Sequence, residues 1–259
     1  MIDLDKKLRV QSEIGTAVVP FTILGFPSID LSMRALEILR DLKVFAFETA
    51  IPVAKGWSSD TNSTIRNACR IALENNVTAE RVVKAFDEYR PNLYILYKRA
   101  FGMDIEKALE KFRGRIDMIL PEWGVKNPES TVNIFRKHHV SFVDAISPLM
   151  PWKETKIRVM SSSAIVYLTC ASRTGGPLFK AGTIRSAIKE IKSFRPDVHV
   201  FCGFGIRTPN DVQTLGSIEG CDGVIIGSAL LECLGRGLDS FKTFVKKIVT
   251  AAEKASKKN

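Results

Sequence analysis

This 259-residue chain has no cysteine pair spaced C-x-x-C, and its five cysteines, Cys69, Cys170, Cys202, Cys221 and Cys233, are odd in number. Neither a disulfide framework nor a zinc knuckle is suggested, and the thiols are expected to be reduced. No uncharged apolar run approaches the ~18 residues of a membrane span. The start, Met1-Ile2-Asp3-Leu4-Asp5-Lys6-Lys7, lacks the apolar stretch of a secretion signal, so a cytoplasmic protein without membrane contact is expected. No Pro/Gly/Ser-rich linker or low-complexity stretch divides the chain, which predicts a single domain over 1–259. Acidic residues are in deficit: 28 Asp+Glu against 38 Lys+Arg leave +10, a balance that suits anionic partners. No recognition motif or interleaved basic-aromatic stripe accompanies that charge, so nucleic acid is not expected among them. The lysines near the end (Lys246, Lys247, Lys254, Lys257, Lys258) make 245–259 a basic helix end facing solvent.

What is present is enough apolar sequence, 45% of residues, to bury a large core. Eight short β-branched or aromatic runs stand out: Ala17–Leu24, Val44–Ala50, Asn92–Tyr97, Asp117–Leu120, Val140–Ile146, Ala164–Leu168, Asp197–Cys202 and Gly223–Ile226. Between them lie segments of helical period at Leu31–Leu42, Ser63–Glu74, Ile105–Phe112, Pro128–Lys137, Pro151–Met160, Thr183–Ser193 and Asn210–Leu215, with a last one at Ser240–Ala255. Alternation of mostly apolar strands with helices predicts a parallel sheet covered by helices, and eight repeats predict a closed (β/α)8 TIM barrel. An extra N-terminal helix, amphipathic over Asp5–Ile14 within residues 1–14, is expected to cap the barrel bottom. The alternative is an open doubly wound sheet, but the G-x-G-x-x-G of a dinucleotide fold is missing, since the first strand ends in Gly25-Phe26-Pro27.

A barrel places chemistry at the carboxyl ends of its strands. Two glycine turns fall there: Gly203-Phe204-Gly205-Ile206-Arg207 after the seventh strand, and Gly227-Ser228-Ala229 after the eighth, where a short helical turn opens. Glycine lets backbone N–H groups approach an oxyanion, and a helix amino terminus adds partial positive charge, so together they predict a phosphate cradle, with Arg207 as an added charged contact. The Gly/Ser/Thr-rich stretch Tyr167–Pro177 reads as a lid. Cys170 in it has no nearby base, because His138, His139 and His199 fall in other segments. Glu48 lies among apolar neighbours at the end of the second strand. Such a carboxylate either pairs with a cation or has its pKa raised towards neutrality, where it can both give and take a proton. Asp60, in the polar loop Trp57–Asn62, is a candidate second, ionised carboxylate; a loop or helix-capping aspartate is the other reading.

These residues, in this order, resemble the tryptophan synthase alpha subunit family. The likeness is carried by Val19-Pro20-Phe21-Thr22 with Gly25-Phe26-Pro27, Glu48 with Ile51-Pro52, Tyr97, Tyr167, Ser172-Arg173-Thr174-Gly175, Gly203-Phe204-Gly205-Ile206 and Gly227-Ser228-Ala229. The resemblance implies a barrel that splits indole-3-glycerol phosphate into indole and glyceraldehyde 3-phosphate by a retro-aldol step, with neither metal nor organic cofactor. It implies Glu48 as acid/base, Asp60 on the indole N–H and Tyr167 beside them. Thr174, Gly175, Gly203, Gly205, Gly227 and Ser228 are then placed on the phosphate, with Gly176 an alternative to Gly175. Phe21, Ile95, Tyr97, Tyr167 and Phe204 are placed around the indole. It further implies a beta-type partner subunit, yet residues 52–62 and 120–124 depart from the family pattern on the docking face. A stand-alone lyase of a secondary pathway, and a catalytically silent barrel that activates a synthase partner, are the alternatives left open.

Overall fold

The computed structural model describes residues 4–55, 61–97, 100–121 and 128–256. Its strands are β1 (Ala17–Thr22), β2 (Phe47–Ala50), β3 (Asn92–Leu96), β4 (Met118–Pro121), β5 (Ser141–Phe142), β6 (Asp144–Ile146), β7 (Ile165–Thr169), β8 (His199–Gly203) and β9 (Cys221–Ile226). All pair in parallel in the order β5-β4-β3-β2-β1-β9-β8-β7-β6. The two ends of that order, β5 and β6, are halves of one barrel strand joined at Val143, whose N–H donates to the Ile119 carbonyl at 2.9 Å. The sheet therefore closes on itself, and the eight expected strands form the expected barrel.

Inside the barrel, Ala17, Val19, Leu93, Met118, Leu120, Ile165, Phe201 and Ile225 make one apolar cluster. The intervening residues, such as Val18, Leu168, Cys202 and Val224, pack outward against the helices. Strands buried on both faces read as continuous apolar runs, which is why they were legible. Helix α1 (Leu4–Ile14) sends Leu8 into the interior cluster, closing the bottom of the barrel, and burial of that one side chain contributes about 2 kcal/mol.

The outer helices are α2 (Ile29–Asp41), α3 (Ser63–Glu74), α4 (Ala79–Phe86), α5 (Ile105–Lys111), α6 (Pro128–Lys137), α7 (Trp152–Ser161), α8 (Ala181–Phe194), α9 (Pro209–Gly216), α10 (Ser228–Gly235) and α11 (Leu238–Ser256). Their starts follow capping chemistry. Ser28 accepts from Leu31 N–H, and Thr208 with Asp211 forms a reciprocal capping box before Pro209. Helix α4 has no counterpart among the expected segments. Thr78 caps it, and Ala79, Val82, Val83 and Phe86 follow the helical period with the last three buried, but eight residues make only about two turns, too short a run for periodicity to stand out. At the amino-terminal rim, Asp117 receives Arg90 and the Asn92 N–H, while the Asn92 amide donates to the Phe86 and Arg115 carbonyls. This buried polar network belongs to the rim that serves stability. No helix among the described residues is long and apolar enough to cross a membrane.

Candidate active site

A cavity of about 250 Å3 opens at the carboxyl ends of the strands. The β1–β2 register sets Phe21 beside Glu48, and both side chains point inward as every second residue of these strands does. Phe21, Ile95, Tyr97, Leu120 and Ile225 give the cavity an apolar wall. Glu48 is 3% exposed, and its Oε1 has no hydrogen-bond partner among the described residues. No described Lys or Arg forms an ion pair with it, so burial alone pushes its pKa up from 4.5 to about 8. Of the two outcomes open to a carboxylate among apolar neighbours, this is the protonated one.

Across the cavity lie Thr174, Gly175, Gly205, Gly227 and Ser228. Helix α10 starts at Ser228 with no side chain capping its first turn, leaving the leading N–H groups directed at the opening. Asn62 draws three segments together there. Its Oδ1 caps α3 through the Ile65 N–H, its own N–H donates to Thr174 Oγ1 at 2.7 Å, and its Nδ2 donates to Ser228 Oγ at 2.8 Å. Because Ser228 Oγ accepts that bond, its own proton is left to donate towards the cavity. The lid strand of chain, residues 170–179, is tied down by Cys170 N–H to the Gly203 carbonyl and Phe179 N–H to the Cys170 carbonyl. Gly175 holds φ +69 there, and a Cβ on it would come within 2.6 Å of Asn62 Nδ2.

Tyr167, on β7, is 5% exposed and meets Phe204 edge to face, with ring centroids 5.8 Å apart. Phe204 takes φ 65, a left-handed conformation that is uncommon for a bulky residue and turns its ring into the cavity. At the end away from the cradle, Asp144 and Arg158 reach the wall. Arg158 Nη1 donates to Asp144 Oδ1 at 2.8 Å, and its remaining nitrogens go to Glu154. Burial pushes the Asp144 carboxyl up, and the guanidinium beside it pulls the other way.

The sequence model of the family described as tryptophan synthase alpha chain matches residues 8–259. The chain belongs to that family. Among curated relatives, the tryptophan synthase alpha chain of Campylobacter jejuni is 24% identical over 232 residues, 85% of this chain and 90% of that one. That of Aquifex aeolicus is 26% identical over 247 residues, 90% of this chain and 91% of that one. A solved tryptophan synthase chain from M. tuberculosis superposes with a TM-score of 0.83 at 16% identity, covering 96% of this chain and 98% of that one, a likeness of fold.

Within this tryptophan synthase alpha chain family member, most of the residues singled out from sequence converge on the cavity. Glu48, Phe21, Ile95, Tyr97, Tyr167, Thr174, Gly175, Phe204, Gly205, Gly227 and Ser228 all line it, as does Arg207. Two expectations need correction. Gly203 does not face the cavity; it sits behind Tyr167, where a Cβ would fall 2.2 Å from the phenolic oxygen, so its role is to admit that ring. Gly176 is also turned away, towards Arg173 and Ala171, and Gly175 takes the wall position. Cys170 is fully buried and off the wall, in keeping with a small inert side chain. Asp60 and residues 122–124 lie outside the described residues. Sequence reasoning missed Asn62, Asp144 and Arg158. Asn62→Ala is expected to cost about 1 kcal/mol of stability through the lost cap and to raise KM for a phosphate ester three- to tenfold, roughly the worth of one positioned hydrogen bond, with kcat changing less. Thermal melts and steady-state kinetics check the two parts separately.

Proposed function

We propose that this chain cleaves indole-3-glycerol phosphate to indole and glyceraldehyde 3-phosphate, with Glu48 as the group that moves protons. The observation that carries the reading is a buried, unpaired, protonated carboxyl in the same cavity as an anion cradle built from a helix start and two glycine turns. The phosphate takes the N–H groups around Gly205, Gly227 and Ser228, and the indole ring lies along Phe21, Ile95, Tyr97 and Phe204 with Tyr167 against it. Glu48 gives its proton to indole carbon 3, which converts the side chain into a leaving group and puts positive charge on the ring nitrogen. The carboxylate so formed then takes the proton of the glycerol hydroxyl on the adjacent carbon. As that O–H electron pair becomes the aldehyde C=O, the C–C bond breaks and its electrons return to the ring. The proton count at Glu48 is restored, which a group with a pKa near neutrality serves in both directions. Asp60 is placed on the ring N–H in this scheme.

A single domain working in the cytoplasm with a beta-type tryptophan synthase partner completes the proposal, with residues 52–62 and 120–124 setting the docking face. A catalytically silent barrel is disfavoured, because a lone buried carboxyl destabilises the fold for no return unless it reacts. Purified chain supplied with indole-3-glycerol phosphate is expected to release indole, faster when a beta-type chain is added. Failure to release indole under both conditions would contradict the lyase reading.

A further inference from the structure

On the outer helical layer, away from the cavity, one histidine is buried with nothing to hold. His138, just after α6, has a side chain 2% exposed, and neither ring nitrogen has a hydrogen-bond partner among the described residues. Buried polar atoms are nearly always satisfied, so an orphaned imidazole calls for a ligand. Its Nε2 points at Glu106 Oε1, 3.9 Å away. Glu106 and Glu110 lie four residues apart on α5 and so share one helix face. One ligand atom from each of the three residues lies within 4.8 Å of the others.

We propose that Glu106, Glu110 and His138 form a site for a divalent transition metal of the zinc(II) class, clipping α5 to the end of α6. An imidazole with two carboxylates suits zinc or its neighbours rather than magnesium or calcium, which take oxygen ligands alone. Donors bound at about 2.0–2.2 Å in a tetrahedral site stand roughly 3.5 Å apart, so closure needs a movement of about 1 Å. The two glutamates supply it: Glu110 is exposed and the Glu106 side chain is 38% exposed, while buried His138 stays fixed as the anchor. The fourth position falls to water. Lys137 Nζ now rests on Glu106 Oε1 at 2.6 Å; its side chain is 64% exposed and swings into solvent when a doubly charged ion takes its place. Two carboxylates then match the charge of the ion. None of the three residues lines the catalytic cavity, so the clip secures the helical layer on either side of β4 and takes no part in the lyase chemistry.

The test uses chelator-stripped full-length protein titrated with Zn2+, and with Co2+ as a visible probe. The expected result is one equivalent bound, a cobalt spectrum of a nitrogen-containing low-coordinate site, and a Tm rise of roughly 5 °C or more at a hundredfold excess of Zn2+ over Kd. Glu106→Gln/Glu110→Gln alters only surface carboxylates and keeps the fold; it should lose both the cobalt spectrum and the Tm rise, with lyase activity unchanged. His138→Gln should lose the cobalt spectrum as well. Absence of saturable binding in the unaltered chain overturns the proposal. So does an equal response in the double variant, which would mark an adventitious ion only.

Discussion

Glu48→Gln is expected to lower kcat for indole release by about 10²–10⁴-fold while leaving KM within a few fold of the unaltered chain. Glutamine fills the same volume in the wall beside Phe21, so the cavity that binds the ring and the phosphate is preserved. What is lost is a proton that can be delivered to carbon 3 and then recovered from the hydroxyl. Steady-state indole formation checks the split between the two constants. A variant whose loss appears in KM alone would mean that Glu48 only binds substrate.

The same substitution is expected to stabilise the protein, increasingly so as pH rises. The folded chain keeps the Glu48 proton up to about pH 8, whereas the group left to water would release it near 4.5. Between those values the native state holds a proton that the unfolded state has lost, so every increase in pH favours unfolding. The effect is absent below about 4.5 and complete above about 8, where a shift of this size corresponds to at most about 5 kcal/mol. Glutamine has no proton to lose. Glu48→Gln should therefore match the unaltered chain near pH 4.5 and exceed it by about 3 kcal/mol at pH 7. Urea denaturation at several pH values reads the difference, and parallel curves across that range would show that the carboxyl is solvated or paired. A reactive group that costs stability where it stands is a common bargain at active sites.

Glu48 was legible in the sequence for the same reason that it is costly, since a charge within Phe-Ala-Phe-Glu-Thr-Ala has nothing beside it to explain it. The barrel was legible because parallel strands covered on both faces are apolar throughout, and the glycine turns after β8 and β9 marked where an anion would sit. The remainder depends on contacts between distant segments. Asn62 reads as one polar residue in a polar loop, and its function appears only when the chain brings it to Thr174, 112 residues on, and to Ser228, 166 residues on. Gly203 and Gly205 are two residues apart and would share a face if the strand continued; the left-handed turn at Phe204 and Gly205 breaks that alternation, leaving one glycine behind Tyr167 and the other on the cavity wall. Asp144 carried the same signal as Glu48, a carboxylate inside the apolar run Phe142-Val143-Asp144-Ala145-Ile146. Its partner Arg158, on α7, is what sequence does not display. Helix α10 read only as a short helical turn after Gly227, yet it continues to Gly235.

The arrangement of acid and cradle is tested most directly by the crystal structure of Glu48→Gln bound to indole-3-glycerol phosphate. The phosphate should rest on the backbone N–H groups at Gly205, Gly227 and Ser228, with Ser228 Oγ donating to it and the residue-48 side chain within hydrogen-bonding reach of indole carbon 3. A phosphate bound elsewhere on the surface, or a ring whose carbon 3 faces away from residue 48, would contradict it.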